Sequence, residues 1–133
     1  MNTPGLTLLQ SRHGAADTLA RLSAEIKSRG LTLFAHIDHA AGAREAGLPL
    51  RPTDLLLFGN ARGGTPLMQA QQSIGIDLPL KALIFEDDAG TTWLGYNDPH
   101  WLASRHGLGA EVEPVLANLS KLLEALARAA TAA

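Results

Sequence analysis

The chain contains no cysteine. That single absence removes disulfides, thiolate zinc sites, iron–sulfur clusters and a cysteine nucleophile. Aromatic residues fill only 5% of the 133 positions, so a core has to be built mainly from Leu, Ile, Val and Ala. Charge of one sign is missing as well. Eleven Lys and Arg stand against thirteen Asp and Glu, a formal net charge of −2, and the basic residues are scattered singly from Arg12 to Arg128. Nucleic-acid binders carry a basic patch or stripe, so no nucleic-acid partner is expected. No apolar run approaches the ~20 residues of a membrane-crossing helix. The opening Met1-Asn2-Thr3-Pro4-Gly5 holds neither the basic nor the apolar segment of a secretory signal. The expectation is a cytoplasmic protein with no membrane partner.

What the chain does have is hydrophobicity. Hydrophobic residues make up 46% of it and charged residues 18%, a balance opposite to that of disordered segments. The length fits one domain over residues 1–133. Such a domain buries roughly two-thirds of the surface its unfolded chain exposes, and needs no staple.

Periodicity supplies the elements. Leu6–Gln10 reads as a short strand. Ala15, Leu19, Leu22 and Ile26 recur at three- and four-residue spacing, an amphipathic helix that Gly30 closes at positive φ. Leu31–Ile37 alternates as a strand. Asp38 caps a short helix through about Ala46, and Pro49 and Pro52 keep Leu48–Thr53 extended or at a sheet edge. Leu55–Phe58 reads as a strand covered on both faces. Gly59–Gly64 reads as a glycine-rich loop, with Thr65 and Pro66 as N-cap and first residue of a helix through about Gln72. Leu80–Glu86 and Thr91–Tyr96 form a hairpin around Asp87–Gly90. Asn97-Asp98-Pro99 opens a helix through Arg105. A last long helix carries Val112, Val115, Leu116, Leu119, Leu122, Leu123 and Leu126 as one apolar stripe. Hairpin-linked strands followed by a covering helix make an α+β layer with a mainly antiparallel sheet. Both faces of the strands are apolar, Leu83 and Phe85 alternating with Ala82 and Ile84. A sheet face left uncovered by helices would then seek a second copy of the chain.

Few motifs carry chemistry. Gly59-Asn60-Ala61-Arg62-Gly63-Gly64-Thr65 has the glycine spacing of a phosphate loop, but Thr65 stands where the essential Lys would be. Backbone N–H groups at the following helix start could still meet an anion, and a tight strand-to-helix connection is the plainer reading. His36, Asp38 and His39 include metal-ligating types without any established ligand spacing, so no metal and no cofactor is expected. Asp38 beside His39 allows acid–base work. The serines lack a nucleophile-elbow context. Trp93, Tyr96 and Trp101 cluster near the hairpin, where packing is the commoner fate of such residues.

The ordered set Phe34–Ala43, Phe58-Gly59-Asn60, Gly64-Thr65-Pro66-Leu67-Met68, Asp77-Leu78-Pro79-Leu80, Tyr96-Asn97-Asp98-Pro99 and Arg105-His106-Gly107-Leu108 closely resembles the bacterial and archaeal domain-of-unknown-function 302 family. The resemblance runs from about Leu6 into the final helix. It implies a β-α-β(4)-α arrangement, a curved, mainly antiparallel sheet with the long C-terminal helix packed across it and short helical insertions. It also points to homodimers, and it implies no established activity. Ala61 departs from the pattern, in which Pro often follows Gly-Asn.

Three functional readings follow. The first is a homodimeric, non-catalytic module binding a small ligand, anionic or otherwise, near Asn60–Thr65. The second is an enzyme using Asp38, His39 and His106 for acid–base chemistry. The third is a purely structural or regulatory partner protein. A ligand site would bring Asp38, His39, Asn60, Gly63, Thr65, Asp98 and His106 together at one end of the sheet, because most of them lie at strand or helix ends. The competing account is local: Asp38, Thr65 and Asp98 cap helices and Asn60 shapes a turn.

Overall fold

The computed structural model describes residues 2–133. Five strands, β1 (Leu6–Gln10), β2 (Thr32–Asp38), β3 (Thr53–Gly59), β4 (Leu80–Glu86) and β5 (Thr92–Asn97), form one sheet in the order β1-β5-β4-β3-β2. Every neighbouring pair is antiparallel. β1 and β2 therefore lie at opposite edges and run parallel to each other, and the helix between them, α1 (Ala15–Ser28), has to cross the whole sheet. Short helices α2 (His39–Glu45), α3 (Ala61–Ala70) and α4 (Pro99–Arg105) leave the strand ends, and α5 (Glu113–Thr131) closes the chain. This is the β-α-β(4)-α, α+β arrangement with short helical insertions.

The apolar stripes explain how the layers meet. Leu22 and Ile26 of α1 and Leu116, Leu119, Leu123 and Leu126 of α5 share one core with Leu56, Phe58, Ala82, Ile84 and Leu94 of the sheet. These strand positions alternate, so they occupy a single face. Pro114 sits in the first turn of α5, where its missing N–H has no intrahelical partner to lose. At the start of α1 a buried hydroxyl chain is fully satisfied. Thr18 Oγ1 donates to the Gly14 carbonyl at 2.8 Å, so Ser11 Oγ donates to Thr18 at 2.6 Å and in turn accepts the His13 N–H at 3.1 Å. The chain of bonds fixes where β1 hands over to α1 without leaving a buried polar atom unpaired.

The other face of the sheet is covered by neither α1 nor α5. One row of in-register residues crosses all five strands as Leu8, Gly95, Leu83, Leu55 and Ile37. Trp93 and Phe85 pair beside it. Gly95 lets side chains close over the strand there: a Cβ would lie 2.8 Å from Leu8 Cδ2 and 3.2 Å from Leu6 Cδ1, and those leucine ends would have to shift.

Two boundaries differ from the sequence reading. The glycine-rich segment is helix rather than loop: α3 begins at Ala61, and Thr65 lies inside it instead of capping it. Asn60 takes the capping role with an extended backbone, its Oδ1 accepting the Gly63 N–H at 2.8 Å. Glycine content misleads here because packing by buried Leu67 outweighs the helix propensity lost at Gly63 and Gly64. A 3₁₀ helix over Gln72–Asp77, buried through Ile74, follows α3 where the sequence pattern gave no element.

Leu126 is 1% exposed in the α5–sheet core. Leu126→Ala should cost about 3 kcal/mol, within the range for buried leucine truncations. Urea unfolding would report it, and an unchanged midpoint would show α5 to be peripheral.

Candidate functional site

The registers decide which expected site residues meet. Asp38 ends β2 opposite Asp54 at the start of β3, whereas Gly59 ends β3 opposite Thr32 at the start of β2. Asp38 and His39 therefore leave one end of the sheet and Asn60 leaves the other, about 20 Å away by strand rise. Asp98 follows β5 at the Asn60 end, since Tyr96 pairs with Ala82 and Leu80 with Phe58. The expected convergence does not occur, and the enzyme built on Asp38, His39 and His106 loses its geometry. Asp38 and Asp98 serve as N-caps, accepting from Ala41 N at 2.9 Å and His100 N at 3.0 Å. His39 is an exposed first residue of α2. Near it, the His36 ring turns to Asp54 Oδ1 at 2.7 Å rather than toward Asp38. Among the described residues no group of three or more His, Asp or Glu is placed to hold a metal ion.

At the Asn60 end the structure holds a cavity of about 560 Å³. Its floor and walls come from five separate segments: Leu31 and Phe34; residues 57–61; Gly63, Gly64, Thr65 and Met68; Gly75 with residues 78–80; and Leu119 with Leu122 of α5. Asn60, Gly63 and Thr65 of the expected set line it; Asp38, His39, Asp98 and His106 do not. Among the described residues no ionisable side chain lines the cavity. The anion expectation for this segment meets two obstacles. The wall offers no cation, and the α3 start already uses Gly63 N on Asn60 Oδ1 and Gly64 N on the Asn60 carbonyl. A lining of this kind suits apolar surface with one or two hydrogen-bonding groups. Gly63 and Gly64 matter as wall: a Cβ at Gly64 would already touch Leu78 Cδ1 at 3.5 Å.

The wall segment Gly75–Leu80 is held in place by a polar clasp that sequence reasoning missed. Asp77, the last residue of the 3₁₀ helix, accepts from Arg105 Nη1 at 2.9 and 2.8 Å and lies 2.6 Å from His106 Nε2. Ser73 Oγ is 2.8 Å from the other ring nitrogen, His106 Nδ1. Lys81 adds its ammonium to the carbonyls of Asp77 and Pro79, each at 3.1 Å. Burial pushes the Asp77 carboxyl up, but hydrogen bonds from His106 and Arg105 and the charges of both outweigh it and leave the group below its ordinary value. Burial lowers the Lys81 ammonium, against the opposing charge of Asp77. The signal was present in the sequence as the segments Asp77-Leu78-Pro79 and Arg105-His106-Gly107-Leu108, 28 positions apart from Asp77 to Arg105; nothing local says that they meet.

Comparison with known proteins follows the same outline. The model of the family described as "Domain of unknown function DUF302" matches residues 8–126. The chain belongs to this DUF302 family. A crystal structure of an uncharacterized conserved DUF302 protein from Bacillus stearothermophilus superposes with a TM-score of 0.84 at 20% identity, covering 96% of this chain and 99% of that one. At that identity the likeness speaks for the fold. Among curated proteins, one named fluoride-specific ion channel FluC 1, from Brucella suis biovar 1 (strain 1330), is 53% identical over 105 residues, 79% of this chain and 41% of that protein. The protein of the same name from Brucella abortus biovar 1 (strain 9-941) matches equally, with 39% of its length covered. The DUF302 chain thus spans about two fifths of these relatives. No helix among its described residues is long and apolar enough to cross a membrane.

The clasp predicts an acid limb. Asp77 ionises more readily in the folded chain than at its ordinary value of 3.8, so its contribution is fully present above that value. It is lost as pH falls from about 4 toward the folded-state value. Asp77→Asn should lower the melting temperature at neutral pH and flatten its fall below about pH 4. Melting curves from pH 7 downward with the same acid limb in both proteins would remove the clasp from the stability account.

Proposed function

We propose that this DUF302 domain is a homodimeric binding module, working in the cytoplasm, whose cavity beneath Asn60 takes a small, largely apolar ligand. The observation that carries the ligand reading is the cavity itself. Its volume of about 560 Å³ falls inside the usual ~300–1,000 Å³ for small-molecule sites. Its lining is aliphatic, glycine and aromatic, with Thr65 and Asn60 as the polar points that would orient a hydroxyl or carbonyl. An anionic ligand would enter this wall without a counter-charge and at a high desolvation cost. The test is a neutral fluorescent probe, N-phenyl-1-naphthylamine, titrated into the full chain. Gly64→Leu should weaken its binding at least about tenfold, because the added side chain grows toward Leu78 and fills space the probe needs, while the helix gains propensity. Equal binding by both proteins would place the probe elsewhere.

The homodimer part of the reading rests on the uncovered sheet face. Its row Leu8, Leu83, Leu55 and Ile37, with Phe85 and Trp93 alongside, is apolar, and the Asp87 carboxylate at its margin accepts from Trp93 Nε1 at 2.9 Å. By register Lys81 is the cation on this face, and its ammonium is turned back onto the carbonyls of Asp77 and Pro79. Five strands about 4.8 Å apart and about 20 Å long present roughly 500 Å² of projected area. Side-chain relief brings that toward the ~800 Å² per partner of a stable interface. A second copy matches such a face because a two-fold contact is self-complementary and two apolar sheets pack about 10 Å apart. Leu83→Glu should convert the dimer to a monomer in light scattering across micromolar concentrations; a monomeric parent protein at those concentrations would sink this part.

The Brucella relatives favour a regulatory setting. In them a stretch like this chain forms about two fifths of a protein named a fluoride channel. We place conduction in the remainder of those proteins and assign the DUF302 part ligand binding that reports to it.

A further inference from the structure

We propose that Ser73, His106 and Asp77 form a nucleophilic relay that cleaves small carboxylic esters at the protein surface, an activity separate from the apolar cavity. The geometry points to it in three steps. Asp77 takes both Arg105 contacts as an acceptor, at 2.9 and 2.8 Å, so it is an ionised carboxylate and cannot donate. His106 Nε2, 2.6 Å from Asp77 Oδ2, must therefore carry the proton of that bond. In the neutral ring Nδ1 then holds the lone pair, and the Ser73 hydroxyl, 2.8 Å away, donates to it. A hydroxyl is thus bonded to a basic ring nitrogen whose opposite N–H is fixed by a carboxylate, the arrangement that activates serine nucleophiles on unrelated folds. Here the two ring nitrogens exchange their usual places.

Burial divides the three residues in the way a nucleophile requires. The side chains of His106 and Asp77 are 8% and 16% exposed, whereas Ser73 is an exposed residue. Solvent-borne substrate can reach the hydroxyl while the base and its orienting group stay shielded. Arg105 binds Asp77 through Nη1 alone. Among the described residues its Nε and Nη2 donors make no other hydrogen bond, so a charged guanidinium stands exposed beside Asp77.

The step balances without a further reactant than water. Ser73 Oγ adds to the ester carbonyl carbon as its proton passes to His106 Nδ1, and Asp77 holds the imidazolium. The ester C–O bond breaks, the leaving alcohol takes that proton, and an acyl-serine remains. Water repeats the sequence, releasing the carboxylic acid and restoring Ser73.

The test uses the full chain with a fluorophosphonate probe and, separately, 4-nitrophenyl acetate. One adduct should form, peptide mapping should place it on Ser73, and ester turnover should exceed that of buffer. Both should fall by about 100-fold or more in Ser73→Ala, with circular dichroism showing the fold retained and the melting temperature lowered only by the loss of one clasp hydrogen bond. His106→Asn should slow the labelling of Ser73. No adduct on Ser73, or ester turnover undiminished in Ser73→Ala, would overturn the relay and leave Ser73 as a plain hydrogen-bond partner of the clasp. Probe binding in the apolar cavity is measured separately and does not depend on this result.

Discussion

The structure depends on one mismatch: a five-stranded sheet apolar on both faces, in a chain with enough long helix to cover only one of them. Joining β1 to β2 across opposite edges fixes α1 on the covered face, and α5 lies beside it because that is where its leucine stripe finds Leu94, Ile84 and Phe58. The helices left over have at most ten residues. They close strand ends instead of a sheet face. An apolar sheet face facing water is costly, at roughly 25 cal/mol per Å², and this is the physical ground for reading the Leu8–Ile37 row as an interface.

The cavity arises from the same shortage. At the Asn60 end, α3 and the 3₁₀ helix arch over the strand ends, and α5 approaches with Leu119 and Leu122. Two glycines in α3 keep that helix from filling the space between. The wall at Gly75–Leu80 leaves the 3₁₀ helix through Leu78 and Pro79 into β4, and Asp77 at this exit is bonded to two consecutive residues at the end of α4. The clasp is partly buried, and bonds between charged groups there are stronger than surface ion pairs. It positions the cavity wall from outside without placing a charge in the lining.

Much of the fold was legible because it rests on short-range pattern. The α5 stripe, the β4–β5 hairpin and the caps at Asp38 and Asp98 each follow from a few neighbouring residues, and each stands where the pattern put it. The site was not legible in the same way. Strand-end residues looked alike in sequence, but Asp38 and Asn60 leave opposite ends of an antiparallel pair. Any rule that gathers polar residues from strand ends must first know the direction of each strand. Asn60 illustrates a second limit. Glycines after it read as loop, yet one side-chain bond to Gly63 N starts a helix there.

His106 shows why residue identity alone could not assign the chemistry. Beside Asp38 and His39 it would be one of three acid–base groups; beside Asp77 and Ser73 it has both ring nitrogens occupied. A histidine in that position has a defined tautomer, because a carboxylate fixed by Arg105 accepts on one side only. Defining the tautomer is what distinguishes an oriented base from a titrating surface group. The same bonds that hold the cavity wall therefore also orient His106 toward an exposed hydroxyl. A clasp needing only strength could have used Arg105 and Asp77 alone, as their two contacts already join α4 to the 3₁₀ helix. His106 and Ser73 add direction to the hydrogen-bond chain, running from solvent inward, and direction is a property that proton transfer uses and mechanical attachment does not.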